Sequence, residues 1–180
     1  MKKVYKTAFP CEQESRTLAA GSSGRGGSFT MSYYPRPGDA IRDTISDMAA
    51  KLTPKWFTER VPSDVRRDLL FQHAIVYWEA GSPLGFVTFT SIDSAIQITL
   101  MGTDPTLHRR GVGTQMMHAV RDLARGLGYE SIRLFTKPPA TNPAYVATVE
   151  FYKKVGFLEV KAYTELWEDG AIEFEWRFGA

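Results

Sequence analysis

The stretch that decides the fold runs from Thr103 to Met117 and reads Thr-Asp-Pro-Thr-Leu-His-Arg-Arg-Gly-Val-Gly-Thr-Gln-Met-Met. A basic turn with two glycines joins a predicted strand to an amphipathic helix. The first amides of a helix lack internal acceptors and carry the positive end of its dipole. Gly111 and Gly113 let a ligand approach the backbone closely. The turn therefore favours a diphosphate, with a plain strand-to-helix turn bearing exposed arginines as the alternative.

Two other phosphate-binding loops disagree with the spacing. A Walker loop ends in Gly-Lys-Ser/Thr, whereas Thr114 follows Gly113 here with no lysine between them. A dinucleotide fingerprint has a third glycine at the position of Met116, and it follows a parallel strand-helix-strand unit. The strands before this turn are predicted to be antiparallel, which argues against that fingerprint.

Three strands are predicted before the turn, over residues 71–79, 84–92 and 95–102. Their links are too short for crossovers, so they should form an antiparallel meander. Further upstream, a short strand near Tyr33 leads to a helix that opens at Asp39, whose side chain can cap the first amides. The core-facing stripe of that helix is Ile41, Ile45, Met48, Ala49 and Leu52. Pro54 should end it, and a second short helix is predicted over residues 63–70.

After the turn, the apolar residues of segment 113–125 share one helical face. Residues 131–136 then read as a strand. Asn142-Pro143 should start the last helix, since asparagine can cap it and proline lacks the amide that would be unpaired. That helix should end at Gly156. Segment 159–178 is predicted to be a hairpin that turns tightly at Asp169-Gly170.

The N-terminal region has a different texture. The segment from Gly21 to Ser28 reads Gly-Ser-Ser-Gly-Arg-Gly-Gly-Ser, which offers little surface to bury. Residues 1–30 are therefore predicted to be a disordered tail, and the folded domain is predicted to span residues 31–180. A vector leader or a misassigned start would explain the segment as well as a native extension.

Composition points to one soluble domain. The chain has 180 residues, of which 43% are hydrophobic and 23% charged, with a formal net charge of +2. The basic residues are scattered among acidic ones, which argues against a nucleic acid or membrane partner. Cys11 is the single cysteine, and Cys and His do not cluster, so we expect no disulfide and no metal. No apolar run reaches roughly 18–20 residues, and we expect a cytoplasmic protein.

The turn resembles the phosphate signature Gln/Arg-x-x-Gly-x-Gly/Ala of the GNAT N-acetyltransferase superfamily. Gly111, Val112 and Gly113 match it, and His108 takes the place of Gln or Arg. Segment 148–157 is similar to a second family motif, Ala-x-x-apolar-Tyr-x-x-x-Gly-Phe. There Thr148 replaces the alanine. The two motifs occur in the right order, with one helix-strand unit between them.

The resemblance implies an α/β GNAT fold. Its mixed central sheet combines an antiparallel meander, a splayed parallel strand pair and a C-terminal hairpin, flanked by about four helices. Acetyl-CoA would lie between the strands that end at Thr103 and Thr136. The cofactor-binding residues that the resemblance implies are Leu100, Met101, Thr103, His108, Arg109, Arg110, Gly111, Val112, Gly113, Thr114 and Asn142. The family's asparagine falls at Tyr145 here, so Asn142 is a substitute candidate.

The resemblance also implies that Tyr152 donates a proton to the departing thiolate. The alternative is a core aromatic, because Tyr152 lies at helical spacing with other apolar residues. A general base is not assigned, since Gln97 stands where some relatives carry glutamate. Candidates that could act through water are Glu79, Asp93 and Glu165.

In the family, the first two helices and the C-terminal hairpin line the acceptor site. Aromatic and acidic residues in these segments would suit a cationic amine, with core aromatics and an acidic surface as the alternative. They are Trp56, Phe57, Trp167, Trp176, Glu59, Glu165, Glu168 and Glu173. The implied activity is acetyl-CoA-dependent N-acetylation of a small-molecule, peptide or protein amine. A catalytically silent CoA-binding sensor or interaction module, a nucleotide-binding protein and a homodimer are left open.

Overall fold

A computed structural model describes residues 15–22, 28–53 and 55–179, which share one eight-stranded mixed sheet with helices on both faces. The strands are β1 (Arg16–Ser22), β2 (Ser28–Tyr34), β3 (His73–Glu79), β4 (Ser82–Ile92), β5 (Ala95–Thr103), β6 (Ser131–Thr136), β7 (Leu158–Tyr163) and β8 (Ala171–Arg177). The helices are α1 (Asp39–Leu52), α2 (Val61–Asp68), α3 (Val112–Gly126) and α4 (Val146–Val155). None of these described helices is long and apolar enough to cross a membrane.

The strand order is β1-β2-β3-β4-β5-β6-β8-β7. Of these neighbours, β5 and β6 run parallel and the rest antiparallel. Alternation along the strands divides the core between two faces. On one face, α1 and α2 pack against residues such as Val76 and Phe86. On the other, α3 and α4 cover a larger cluster around Ile75, Met116 and Phe174.

The structure confirms the predicted fold class. The antiparallel meander is β3, β4 and β5, joined by the two-residue turns Ala80-Gly81 and Asp93-Ser94. All four turn residues have positive φ, which matches the twist of paired strands. Helix α1 begins at Asp39 as predicted, but Gly38 occupies the cap position. The Asp39 carboxylate instead accepts a hydrogen bond from Arg42.

The tail prediction is wrong for residues 16–22 and 28–30. They belong to an antiparallel hairpin, β1–β2, that extends the sheet beyond β3, so the sheet begins at Arg16 and not at Met31. Leu18 packs against the core, and the Phe29 ring stacks on Tyr77 at 5.6 Å. Gly21 leaves room for that ring, because a Cβ there would lie 2.9 Å from it. Residues 1–14 and 23–27, and Pro54, lie outside the described residues.

The C-terminal hairpin is present, but its turn is longer than predicted. Residues 164–170 connect β7 to β8, and β8 lies between β6 and β7. Gly170 closes this loop with a φ of +77°, and a Cβ there would lie 2.9 Å from the carbonyl oxygen of Tyr163. The loop therefore needs glycine at its end, although the tight turn predicted at Asp169-Gly170 does not form.

Candidate active site

A wedge-shaped cleft opens between β5 and β6. The two strands pair over Ala95–Gln97 and Ser131–Arg133, and beyond these residues they diverge. The cause is a β-bulge at Thr99, because Leu100 pairs with Thr88 while Ile98 pairs with Phe89. An extra residue bends a strand away from its neighbour. The inner edges of β5 and β6 are therefore unpaired past the bulge, as the predicted splayed strand pair requires.

Three polar side chains brace the bulge. The hydroxyls of Thr88 and Thr99 lie 2.8 Å apart, and Thr99 Oγ1 donates to Gln72 Oε1 at 2.7 Å. Thr88 is fully buried, so the chain of hydrogen bonds runs from the core to the surface. Sequence reasoning missed all three residues, because a bulge is defined by the register of two strands and leaves no local pattern.

The end of β5 carries three of the residues implied to bind the cofactor, Leu100, Met101 and Thr103. Over this stretch β4 is the hydrogen-bonded neighbour of β5 among the described strands. Backbone groups facing β6 are therefore available to an extended ligand. Met101 also packs against the first turn of α3, since its Cε would lie 3.5 Å from a Cβ placed on Gly113.

The turn after β5 is tightly folded. The Asp104 carboxylate accepts hydrogen bonds from the amide and hydroxyl of Thr106, at 2.9 and 2.6 Å, and these bonds hold the pKa of Asp104 below its ordinary value. Arg109 and Gly111 then take left-handed conformations, with φ of +63° and +75°. Gly111 caps α3 with no side-chain hydrogen bond.

Helix α3 presents its first amides at this turn. Among the described residues, the amides of Val112, Gly113 and Thr114 have no hydrogen-bond acceptor. Left-handed residues next to such amides form a concave site suited to an anion. The turn therefore has the backbone geometry that a diphosphate site would need. Gly113 has a second function, since a Cβ there would lie 3.3 Å from the Phe151 ring of α4.

The basic side chains of the turn point in different directions. Arg109 is exposed, whereas both terminal nitrogens of Arg110 bind the Glu79 carboxylate at 2.6 and 3.1 Å. His108 is exposed and meets the Trp56 ring edge-on at 6.2 Å. The structure therefore separates the three residues that the sequence groups together, and it pairs Glu79, a candidate base, with an arginine.

Tyr152 lies on α4 with its ring in the core. Its centroid is 5.3 Å from Phe151, 5.7 Å from Phe157 and 6.3 Å from Phe174. Its hydroxyl bonds to none of the described residues, yet it is not sealed from solvent. Burial, followed by the neighbouring Tyr145, raises the pKa of Tyr152 to about 12. A substitution can therefore remove the hydroxyl of Tyr152 and leave the packing of its ring in place.

Asn142 lies on the segment between β6 and α4. Its Oδ1 accepts from the amide of Ala144 at 3.3 Å and caps a short 3₁₀ turn, Pro143–Tyr145, which precedes α4. The same segment is clasped to loop 164–170. Lys137 pairs with Asp169 at 2.5 Å, and the hydroxyl of Thr141 donates to the Asp169 carbonyl at 2.7 Å. These contacts fix the segment beside the end of β6.

The predicted acceptor set is divided among separate places. Trp176 lies on the α3 face of the sheet, where it packs on Phe157 and His118. Trp56 lies beside His108 of the turn between β5 and α3, and Phe57 packs on Phe86. The proposal that all four aromatic residues line one site is therefore wrong for Trp176.

An aromatic cluster that the sequence did not reveal surrounds Trp167. Phe135 meets the Tyr163 ring at 5.9 Å and the Trp167 ring at 6.5 Å. The Tyr163 hydroxyl donates to Glu173 at 2.7 Å, and Glu173 lies directly opposite Phe135 in the sheet. We name these four residues the aromatic–acidic face. Strand alternation could have shown that Phe135 points away from the core, but not what it meets.

The remaining candidate bases, Asp93 and Glu165, lie in the connections between strands. Asp93 lies in the β4–β5 turn with positive φ. This turn precedes the first residues of β5, which are still paired with β6. Glu165 accepts from the hydroxyl and amide of its neighbour Thr164, and these bonds keep the pKa of Glu165 below its ordinary value. Gln97 lies opposite Arg133 in the parallel pair and carries no carboxylate.

The model of the Acetyltransferase (GNAT) family matches residues 42–157, more than half of the chain. Among solved structures, Ard1 from Thermoplasma volcanium shares 22% identity at a TM-score of 0.65, over 84% of this chain and 99% of that one. A ribosomal-protein-S18-alanine N-acetyltransferase from Escherichia coli shares 13% identity at a TM-score of 0.66, over 84% and 95%. An aminoglycoside 6′-N-acetyltransferase complexed with coenzyme A shares 14% identity at 0.64, over 82% and 96%. No curated protein sequence matches the chain.

Proposed function

The chain belongs to the acetyltransferase (GNAT) family, and we propose that it transfers an acetyl group from acetyl-CoA directly to an amine acceptor. One observation carries the proposal: the cleft between β5 and β6 ends at the unpaired first amides of α3. An extended ligand with a diphosphate at one end fits this arrangement. A nucleotide alone would leave the unpaired strand edges without a partner.

The residues of the cleft suit coenzyme A in two respects. The amides of Val112, Gly113 and Thr114, with the exposed Arg109, would hold the diphosphate. The inner edge of β5 at Leu100, Met101 and Thr103 would pair with the pantetheine amides as a neighbouring strand does. When bound, acetyl-CoA supplies an activated acetyl thioester.

Two groups of the chain would assist transfer. A backbone amide at the bulged end of β5 would donate to the thioester oxygen as negative charge develops there. As the carbon–sulfur bond breaks, the Tyr152 hydroxyl would donate its proton to the leaving sulfur. The proton lost by the attacking amine would pass to solvent, from which the tyrosine regains its own. Because burial raises the pKa of Tyr152 to about 12, its hydroxyl carries the proton at neutral pH, as a donor must.

The aromatic–acidic face is the proposed acceptor side. Phe135 and Trp167 offer ring surfaces to a cationic amine, and the Glu173 carboxylate, held by the Tyr163 hydroxyl, attracts it. The Tyr163 ring itself is already covered by Lys161 Nζ, 4.4 Å from its centroid. No residue need act as a strong base if part of the amine population arrives neutral. The proteins of similar fold include an aminoglycoside N-acetyltransferase and a ribosomal-protein-alanine N-acetyltransferase. Both acceptor classes therefore belong in the test.

The test is a panel of amines supplied with acetyl-CoA and monitored by release of free thiol. It should contain a polyamine, an aminoglycoside, peptides with free N-termini and a lysine-rich peptide. Amine-dependent thiol release would support the proposal. CoA binding without release for any amine would identify a silent binding module, and tighter binding of ATP or GTP than of CoA in a thermal-shift series would overturn both readings.

A further inference from the structure

An ion pair joins the turn between β5 and α3, residues 104–111, to strand β3 of the meander. The guanidinium of Arg110 reaches the Glu79 carboxylate through both terminal nitrogens. Arg110 and Glu79 are largely shielded from solvent, with 27% and 13% of their side chains exposed. Two parallel hydrogen bonds fix the orientation of both planar groups. An ion pair this enclosed is less screened than a surface pair.

Strand β3 holds Glu79 firmly. It is the last residue of that strand, and Phe29 of β2 lies opposite it. The following residue, Ala80, donates its amide to the carbonyl of Ser28 at 2.9 Å. The N-terminal hairpin therefore backs the strand end that carries the carboxylate.

The backbone at Arg110 needs such support. Arg110 lies between two residues in left-handed conformations, Arg109 and Gly111. Arg109 is strained there, because a side chain crowds the backbone in the left-handed conformation. The amide of Arg110 donates to the carbonyl oxygen of Leu107 at 3.1 Å. The ion pair pins the centre of the turn at the point where the chain reverses to enter α3.

We propose that Glu79 and Arg110 are positioning residues. Their ion pair holds the turn in the shape that presents the amides of Val112, Gly113 and Thr114, and the Arg110 guanidinium does not itself bind phosphate. Of the two arginines in the turn, Arg109 is then the one whose charge can contribute to diphosphate binding. This inference rests on the proposed function, because it concerns the same coenzyme A site.

The test is the sign of the effect of Glu79→Gln on coenzyme A affinity, measured by calorimetric titration. If Arg110 bound phosphate directly, removal of the competing carboxylate would free its guanidinium and tighten binding. A positioning function predicts the opposite, a loss of roughly 5- to 20-fold as the turn loosens. Asp122→Asn is the matched control, since it removes the carboxylate of an exposed ion pair on α3, and it should leave affinity unchanged.

A second substrate separates the site from the rest of the enzyme. S-acetylpantetheine lacks the diphosphate, so Glu79→Gln should leave kcat/KM for this donor within about twofold of wild type. Arg110→Gln and the double variant should each lose about as much coenzyme A affinity as Glu79→Gln alone, because the pair acts as a unit. Melting curves of all variants, with and without coenzyme A, accompany the titrations.

The outcomes are distinct. Wild-type protein that does not bind coenzyme A overturns the proposed function, whatever the variants do. Wild-type binding with equal or tighter binding by Glu79→Gln overturns the positioning inference and leaves the proposed function standing. An equal loss with S-acetylpantetheine also overturns it, since the effect is then not confined to the diphosphate end. Should Glu79→Gln unfold, Arg110→Lys gives the same test: positioning predicts loss, whereas a phosphate-binding charge would be retained.

Discussion

The two sides of the cleft are built in different ways. On the proposed cofactor side, the turn and the start of α3 come from one continuous segment, residues 103–117. On the proposed acceptor side, Phe135, Tyr163, Trp167 and Glu173 come from three strands and a loop. The first side is defined by backbone amides and glycines, whereas the second is defined by side chains.

This difference explains why one side could be recognised and the other could not. Backbone recognition needs particular conformations, and these leave a compact signature such as Gly111 and Gly113. Side-chain recognition needs proximity across the sheet, which leaves no signature in any one segment. The amides are presented only while Gly111 and Gly113 keep the backbone in this conformation, so the cofactor side should tolerate few changes at these positions. The acceptor side should tolerate more.

The largest effect is expected from Tyr152→Phe, which keeps the packed ring and removes the proton donor. If the hydroxyl protonates the leaving thiolate, turnover should fall by roughly 10²- to 10⁴-fold with little change in acetyl-CoA affinity. Steady-state kinetics with the best amine of the panel, beside a melting curve, measure this. Turnover within about threefold of wild type, less than ~1 kcal/mol in the barrier, would reduce Tyr152 to a core aromatic.

The second effect concerns the turn. Gly111→Val should weaken acetyl-CoA binding by roughly 10- to 100-fold, because a β-branched residue is strained at a φ of +75° and its side chain obstructs the diphosphate. Gly111→Asn is the matched control for strain, since asparagine tolerates this conformation and a Cβ meets no atom within 4 Å. Calorimetric titration of both variants and of Arg109→Ala decides between strain, obstruction and charge.

Arg109→Ala should lose about threefold or less, because an exposed charge is screened. If Arg109→Ala loses as much acetyl-CoA affinity as Gly111→Val, the diphosphate is held by side-chain charge and not by the backbone amides. Loss in Gly111→Val but not in Gly111→Asn would assign the effect to strain alone.

A smaller effect is expected on the acceptor side. Glu173→Gln should raise KM for a cationic acceptor by about 3- to 10-fold and leave KM for acetyl-CoA unchanged, since the carboxylate attracts the amine. Initial rates with each substrate varied in turn test this. Glu159→Gln, which removes an exposed carboxylate from the neighbouring strand β7, is the matched control. A rise in acetyl-CoA KM instead would move Glu173 to the cofactor side.

The smallest effect is the absence of a falling limb in the pH profile of kcat/KM. Because burial raises the pKa of Tyr152 to about 12, its hydroxyl is protonated below that value and is lost as a donor when pH rises through it. The profile of kcat/KM should therefore rise as the acceptor amine deprotonates and show no falling limb up to about pH 10. A falling limb between pH 7 and 9 would contradict Tyr152 as the acid.

The sequence predicted what depends on local chemistry. The limits of β6 and the buried stripe of α3 follow from alternation and helical spacing, and both are as predicted. It did not predict β1, because the pairing of Arg16–Ser22 with β2 is made by backbone hydrogen bonds to which glycine and serine contribute as well as valine. The bulge at Thr99 and the Arg110–Glu79 pair were missed because each depends on register between distant segments.

The divergence of β5 from β6 also makes this an interrupted sheet with two interior edges. Unpaired strand edges are templates for pairing with other chains, and this fold leaves two of them facing the cleft between β5 and β6. The bulge that opens the cleft thus creates a risk of self-association that an uninterrupted sheet would not have. A ligand that pairs with these edges would act as a missing strand, so that occupancy would protect the protein from aggregation as well as prepare it for reaction.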